Sequence, residues 1–179
     1  MTSLDKADLL LAMSAHVRGT GLAGASLRPL AKAAGTSDRM LIYHFGSKAA
    51  LMAELLDHLV TEILSAMAAA LPPAPAPTEA ACAAETVALL QTPTFRPYLR
   101  VWLDILSAAA RGDADHGTAA RRLLAGQVDW IATRLPEATP RPKQRAAEML
   151  TLVQGALVME VGGMSAAAQN AITRSYAKG

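Results

Sequence analysis

The sequence predicts an all-α protein, and three observations support this fold class. Hydrophobic residues make up 52% of the chain whereas aromatic residues make up only 4%, and alanine is the dominant residue. Alanine and leucine favour closely packed helices, while strands favour β-branched and aromatic residues. Apolar residues recur at helical spacing, and glycines or prolines separate the periodic segments. A chain of 179 residues has room for a small domain and a larger one.

Four helices are predicted in the first part of the chain, and capping residues mark their ends. Ser26 is a candidate N-cap for the second helix, Ser37 or Asp38 for the third, and Ser47 for the fourth. Gly35 follows the second helix, where a left-handed conformation is favoured. The predicted helices are Asp5–Arg18, Leu27–Ala34, a short helix that ends near His44, and Lys48–Leu71.

Prolines interrupt the chain after the fourth helix. The segment LPPAPAP at residues 71–77 is predicted to be a stiff, non-helical connector, because proline lacks an amide donor and restrains the residue before it. A polar turn, GDADHG, is predicted at residues 112–117. The further predicted helices are Thr78–Leu90, Thr94–Arg111, Thr118–Leu135, Lys143–Val161 and a weak last helix that ends near Lys178.

Basic residues are concentrated near the N-terminus. Residues 1–50 carry six basic and three acidic side chains, whereas the remaining 129 residues carry 11 basic and 12 acidic ones. A positive excess at one end of the chain suits a module that contacts phosphate.

The cysteine content and the hydropathy exclude several classes of protein. Cys82 is the only cysteine, which excludes an intramolecular disulfide and a cysteine-rich metal site. No apolar run approaches the roughly 18 residues that cross a bilayer, and the first residues lack a signal-peptide pattern. We therefore expect a cytoplasmic protein that needs no membrane, metal or cofactor.

Residues 26–45 predict a helix-turn-helix, which is a pair of short helices joined by a tight turn containing glycine. In the first helix, the residues predicted to face inward are Leu27, Leu30, Ala31 and Ala34, and those outside are Arg28 and Lys32. In the second helix, Met40 or Leu41 anchors to the core together with Phe45. The residues then left for the DNA groove are Asp38, Arg39, Ile42, Tyr43 and His44.

About the first third of the chain resembles the DNA-binding domain of the TetR family of transcriptional regulators. The matching residues are Leu30, Ala31, Ala34, Gly35, Ser37, Leu41, Tyr43, His44, Phe45, Lys48 and Leu51. The resemblance implies an N-terminal three-helix DNA-binding domain at residues 1–47. It also implies a larger helical domain for ligand binding and dimerisation at residues 48–179, with the long fourth helix linking the two. The implied function is that of a repressor released from its operator by a small molecule.

The resemblance also implies individual roles. Lys48 would contact a phosphate, Tyr43 and His44 would position the second motif helix on the DNA backbone, and Arg39 could pair with guanine. Thr36 and Ile42 depart from the family pattern, since an apolar and an aromatic residue are usual there. The complete set of predicted DNA-binding residues is Arg28, Thr36, Ser37, Asp38, Arg39, Met40, Ile42, Tyr43, His44 and Lys48.

Two late helices carry apolar stripes that suit a helical interface. The stripes are Ala120, Leu123, Leu124, Val128, Ile131 and Leu135 in the first, and Ala146, Met149, Leu150, Val153, Leu157 and Val161 in the second. The family resemblance implies that helices 118–135 and 143–161 form a homodimer, which would read a palindromic operator. The alternative is that both stripes belong to the core of one chain, and periodicity does not separate the two.

The family resemblance further implies an effector cavity in the second domain. The candidate lining residues are Leu59, Ile63, Met67, Trp102, Ile105, Leu106, Met149 and Val153. Because these side chains are apolar, the predicted effector is a hydrophobic or aromatic molecule. It would act by favouring a spacing of the two DNA-reading helices that does not fit the operator.

Two other functions fit the sequence less well than DNA binding. An enzyme is disfavoured because His16, His44, His58 and His116 form no His-x-x-x-His or Glu-x-x-His pair, Cys82 has no base nearby in sequence, and no glycine-rich phosphate loop occurs. Glu54 and His58 lie four residues apart, a spacing common in ordinary surface pairs. The stronger alternative is a helical protein-interaction module, in which the basic face would contact an acidic partner.

Overall fold

A computed structural model describes residues 5–71 and 74–176 of the protein. The described residues form nine α-helices and one short 3₁₀ turn at Leu22–Gly24, with no strand among them. The predicted all-α fold is therefore confirmed. The helices are α1 Lys6–Thr20, α2 Leu27–Ala33, α3 Asp38–Phe45, α4 Lys48–Ala70, α5 Glu79–Gln91, α6 Arg96–Ala110, α7 Ala114–Ala132, α8 Pro142–Val161 and α9 Ser165–Tyr176.

Several helices begin at a residue whose side chain accepts a hydrogen bond from a free backbone amide of the first turn. Asp5 caps α1 by accepting from the Asp8 amide, and Thr78 caps α5 by accepting from the Ala81 amide. Ser26 stands at the start of α2, as predicted, but its side chain forms no capping hydrogen bond. The Leu30 amide instead bonds the Ser26 carbonyl, which is an ordinary helical bond.

The predicted polar turn at 112–117 is only partly a turn, because α7 begins at Ala114. Gly112 takes the turn with φ +90°, and the Asp113 carboxylate accepts from the His116 amide at 3.0 Å. This cap nucleates the helix four residues earlier than the apolar periodicity suggested. This hydrogen bond from the His116 amide is the largest cause of a lowered pKa of Asp113. The helix also ends earlier than predicted, at Ala132 rather than Leu135.

The chain divides into two compact units, of which the first contains residues up to Ile63 and Arg96–Leu123. Its core consists of side chains that are almost completely shielded from solvent. They include Leu9, Met13, Val17, Leu30, Leu41, Leu51, Leu55, Val101 and Ile105. The core therefore joins α1 to α3 with the first part of α4 and with α6.

The second unit contains Leu64–Phe95 and residues from Leu124 onward. In it, α8 packs against α5 and α9. The apolar stripe of α8 was compatible with either a dimer interface or the core of one chain. Most of it is buried within one chain, while its last member, Val161, is exposed. The buried residues are Ala146, Met149, Leu150, Val153, Ala156 and Leu157. A different stripe of α8 remains exposed and includes Leu152, Gly155, Val158 and Met159.

The stripe predicted on the seventh helix is also largely buried. Ala120, Leu123, Ile131 and Leu135 are buried, whereas Leu124 and Val128 are half-buried. In the proline connector, the Ala76 amide donates to the Arg134 carbonyl at 2.8 Å, and Pro72 and Pro73 lie outside the described residues. Among the helices that the structure describes, none is both long and apolar enough to cross a membrane.

Candidate nucleic-acid interface

Two short helices and a tight turn form the predicted helix-turn-helix. Gly35 adopts φ +63° after α2, and the Thr36 amide donates to the Ala31 carbonyl at 2.9 Å. A left-handed residue at this position suits glycine, and the bond satisfies a carbonyl at the end of α2. Ser37 then starts α3, with its hydroxyl accepting from the Met40 amide at 3.3 Å.

The apolar residues of the motif anchor it to the first unit. Leu41, not Met40, is the buried anchor of α3, and Phe45 is buried beside it. In α2, Leu30, Ala31 and Ala34 are buried as predicted, whereas Leu27 is half-buried. The Lys6 ammonium lies 4.8 Å from the centre of the Phe45 ring, so α1 also holds the end of α3.

The outer face of α3 carries the residues that the sequence assigned to DNA. Ser37, Asp38, Arg39, Met40 and Tyr43 are exposed, and Tyr43 is 78% accessible. A tyrosine on so exposed a position contributes little to the core, which favours a role in contact with a partner. Ile42, His44 and Thr36 are half-buried. The Tyr43 and His44 rings meet edge to face, with their centres 5.5 Å apart.

The start of α4 adds a further contact point. Ser47 caps the helix by accepting from the Ala50 amide at 3.1 Å, and Lys48 is exposed at the first helical position. Backbone amides at a helix N-terminus attract anions. A lysine there would gain nothing from the helix dipole, but it is well placed to meet a phosphate.

Some basic side chains of the first unit are neutralised by carboxylates and others are not. Away from the motif, Lys6 pairs with Glu54 at 2.6 Å, Arg18 with Glu62 at 2.6 Å, and Arg122 with Asp57. Arg100, Arg111 and Arg121 donate to uncharged oxygens instead. Among the described residues, four exposed cations of the motif make no ion pair. They are Arg28, Lys32, Arg39 and Lys48.

A shallow groove of about 550 Å³ lies beside α2. It is lined by His16, Arg28, Pro29, Lys32 and Ala33, and no acidic residue lines it. Together with the unpaired cations, this groove gives the motif a positive surface that invites an anionic partner.

Polar contacts attach the end of α1 to α6. The Arg100 guanidinium donates to the Gly19 carbonyl at 2.9 Å, and the Leu22 amide donates to an Asp104 carboxylate oxygen at 2.7 Å. These bonds fix the turn that leads into α2, and so they help to set the position of the motif.

The predicted effector residues are buried but divided between the two units. Leu59, Ile63, Trp102, Ile105 and Leu106 belong to the first unit, and Met67, Met149 and Val153 to the second. All are buried except Leu106, which is half-buried. A polar residue that the sequence analysis missed, Gln127, is buried next to Met67. It sits within an apolar helical stripe, so periodicity offered no sign of it.

In the described part of the chain, the histidine and acidic side chains that the sequence singled out form separate pairs. Glu54 pairs with Lys6 rather than with His58, whose Nε2 lies 3.8 Å from Glu62. Among the described residues, no group of three or more histidine, cysteine or acidic side chains is arranged to hold a metal.

Comparison with known proteins identifies similarities in sequence and in fold. Residues 18–55 match the model of the family described as bacterial regulatory proteins, tetR family. This segment contains the complete helix-turn-helix and the start of α4. Among curated proteins, none is significantly similar in sequence to this chain.

Several solved structures are similar to nearly the whole chain. A transcriptional regulator from Rhodococcus sp. Rha1 has a TM-score of 0.64 and 23% identity, covering 95% of this chain and 94% of its own. A TetR-family protein from Rhodococcus sp. has a TM-score of 0.66 and 17% identity, with 95% of both chains covered. The multidrug binding protein EbrR, in complex with imidazole, has a TM-score of 0.60 and 18% identity, covering 94% of this chain and 88% of its own. The match covers both units, so the likeness in fold extends beyond the motif.

Proposed function

We propose that this chain, whose residues 18–55 match the model of the tetR family of bacterial regulatory proteins, is a transcriptional repressor that binds operator DNA through α2, α3 and the start of α4. The observation that carries the proposal is the group of four exposed cations without ion pairs on these elements. Three cations elsewhere in the same unit, Lys6, Arg18 and Arg122, are paired with carboxylates. DNA phosphates would supply the missing counter-charges.

The contacts divide into those that position the protein and those that read sequence. Lys48, Tyr43 and His44 contact the sugar-phosphate backbone, which fixes the register without reading bases. Arg39 and Arg28 reach base edges, where a guanidinium pairs with the O6 and N7 atoms of guanine. Thr36, Ser37, Asp38 and Met40 border the same face, and Ile42 packs against a thymine methyl group.

The repressor acts as a homodimer, which pairs two motifs on a palindromic operator. The exposed stripe of α8 supports this assembly, since Leu152, Val158 and Met159 lie beside Gly155. A Cβ atom at Gly155 would meet nothing within 4 Å, so a helix from a second copy has room to approach closely. Two linked motifs bind far more tightly than one because the second contact is intramolecular.

A small apolar molecule releases the repressor from its operator. Of the candidate residues for the site, Met67, Met149 and Val153 lie in the second unit, and their apolar side chains suit a hydrophobic ligand. The fold similarity to a multidrug binding protein also motivates the proposal of a small-molecule ligand. The ligand would favour a conformation in which the two motifs no longer match the operator spacing. Since the target is DNA, the protein acts in the cytoplasm.

The test is a fluorescence titration of duplex DNA from upstream of the gene and its neighbours. A repressor binds one such duplex specifically, and its affinity falls steeply as salt rises. Lys48→Ala is expected to weaken this binding. Its charge-matched control is Lys143→Ala, which removes an exposed lysine of α8 that pairs with Asp129 in the second unit. Negligible binding to all these duplexes, with capture of an acidic protein instead, would favour the interaction-module alternative.

A further inference from the structure

Gln127 is a buried side-chain amide whose N–H group faces an unusually weak hydrogen-bond acceptor. It lies in α7 within the second unit and is only 3% exposed. Its Oε1 accepts from Gln154 Nε2 at 3.1 Å, while its own Nε2 faces the Met67 sulfur at 3.8 Å. Met67 is itself 1% exposed and lies in α4.

This arrangement is a poor choice for stability alone. A side-chain amide carries two N–H donors, and a thioether sulfur is a weak acceptor. A buried donor without a good partner destabilises the folded state, whereas an apolar side chain of similar size at the same place does not. Buried polar groups left in this condition are uncommon in native proteins and call for an explanation.

We propose that Gln127 is the polar contact of the effector site, and that the effector is an uncharged, largely apolar molecule carrying a carbonyl-type acceptor. This inference rests on the function proposed above. The acceptor atom replaces the Met67 sulfur as the partner of Gln127 Nε2. Ligand pockets of this kind are lined by apolar groups, with a few polar groups that fix orientation.

The surroundings of Gln127 define the ligand class and the side chain that the ligand would displace. Gln127 hydrogen-bonds to a neutral amide and faces a thioether, so a charged ligand would be desolvated there without a counter-charge. Methionine is unbranched and flexible. A change in the rotamer of Met67 therefore frees both the amide and the space that the thioether occupied.

A matched pair of probes tests this inference on the full-length protein. Acetophenone and α-methylstyrene have nearly the same shape, but only the first carries a carbonyl oxygen. Calorimetry on the wild type is expected to give a preference of about tenfold for acetophenone, the equivalent of about 1.4 kcal/mol. In Gln127→Met, which keeps the side-chain length, the preference is expected to fall below about twofold.

A second variant locates the site. Met67→Ala removes the side chain that fills the space, so the affinity for acetophenone is expected to rise while the preference is kept. The matched control is Met13→Ala, which truncates a buried methionine of the first unit and should leave the acetophenone affinity of the Gln127 site as in the wild type.

Several results would overturn the inference. They are equal affinities of the two probes for the wild type, no binding of acetophenone, a preference that survives in Gln127→Met, or failure of that variant to fold. The last result would mean that the amide is structural. Operator binding by the wild type is measured in parallel. The wild type would still bind operator DNA if only this inference were wrong, and it would not bind operator DNA if the repressor assignment itself were wrong.

Discussion

Lys48 offers a quantitative test of the DNA-binding face. It is exposed at the start of α4 and makes no ion pair with a described residue. A cation at a helix N-terminus opposes the helix dipole by about 0.3–1 kcal/mol. Lys48→Ala should therefore leave the fold as stable as before or slightly more stable, so a loss of DNA binding would not reflect unfolding.

The magnitude follows from the number of phosphate contacts. Lys32 and Lys48 are the two exposed, unpaired cations of the motif that are not assigned to base edges, and they give four contacts in a dimer. If each neutralises one phosphate, the slope of log K against log salt is about −3.6. Raising salt from about 50 to 200 mM then lowers the affinity roughly 150-fold. Lys48→Ala removes two contacts per dimer and should reduce the slope by about 1.8.

The assay is fluorescence anisotropy with an operator duplex and an unrelated duplex over a range of salt concentrations. Lys48→Ala should weaken binding to both duplexes by a similar factor, because phosphate contacts are independent of sequence. Lys143→Ala should leave the slope unchanged. An unchanged slope in Lys48→Ala, or an equal change in Lys143→Ala, would refute the reasoning.

Three further predictions test the interface and the fold. Arg39→Ala should reduce the preference for the operator over duplexes with single base changes by about 1–3 kcal/mol at one position; a uniform loss across all duplexes would contradict base reading. Gly21→Ala should lower the free energy of unfolding by about 1–3 kcal/mol in urea titrations, because glycine alone favours this backbone region. At Gly21, φ is +85° and ψ is 167°, and a Cβ would lie 2.9 Å from the Asp104 carboxylate; unchanged stability would contradict this. Burial raises the pKa of the Cys82 thiol, so Ellman's reagent should react with native protein at least about tenfold more slowly than with urea-unfolded protein, and equal rates would show that the thiol is accessible.

Local signals predicted most of the helices because their physical causes lie within a few residues. Ser37, Ser47 and Thr78 cap helices through their own side chains, and Gly35 takes the left-handed position at the end of α2. The choice between Met40 and Leu41 as the anchor of α3 was open in the sequence, since neighbouring apolar residues both fit the spacing. Packing of the first unit decides it in favour of Leu41.

One local cap and two features that depend on distant residues escaped the sequence. The turn at 112–117 looked uniformly polar, but Asp113 caps α7 and extends it to Ala114. The stripe on α8 suited a core and an interface equally well, because both demand apolar residues on one face. Gln127 was missed because the neighbours that make it unusual, Met67 and Gln154, lie 60 and 27 residues away.

The most direct test of the central claim is capture of genomic DNA fragments by the purified protein, followed by footprinting of the enriched fragments. A dimeric repressor is expected to protect a two-fold symmetric site whose half-sites lie about one helical turn apart. Arg39→Ala is expected to change which fragments are enriched, while Lys48→Ala is expected to lower the recovery of all of them. Random recovery of fragments, or a protected region without two-fold symmetry, would contradict DNA reading by a dimer of this motif.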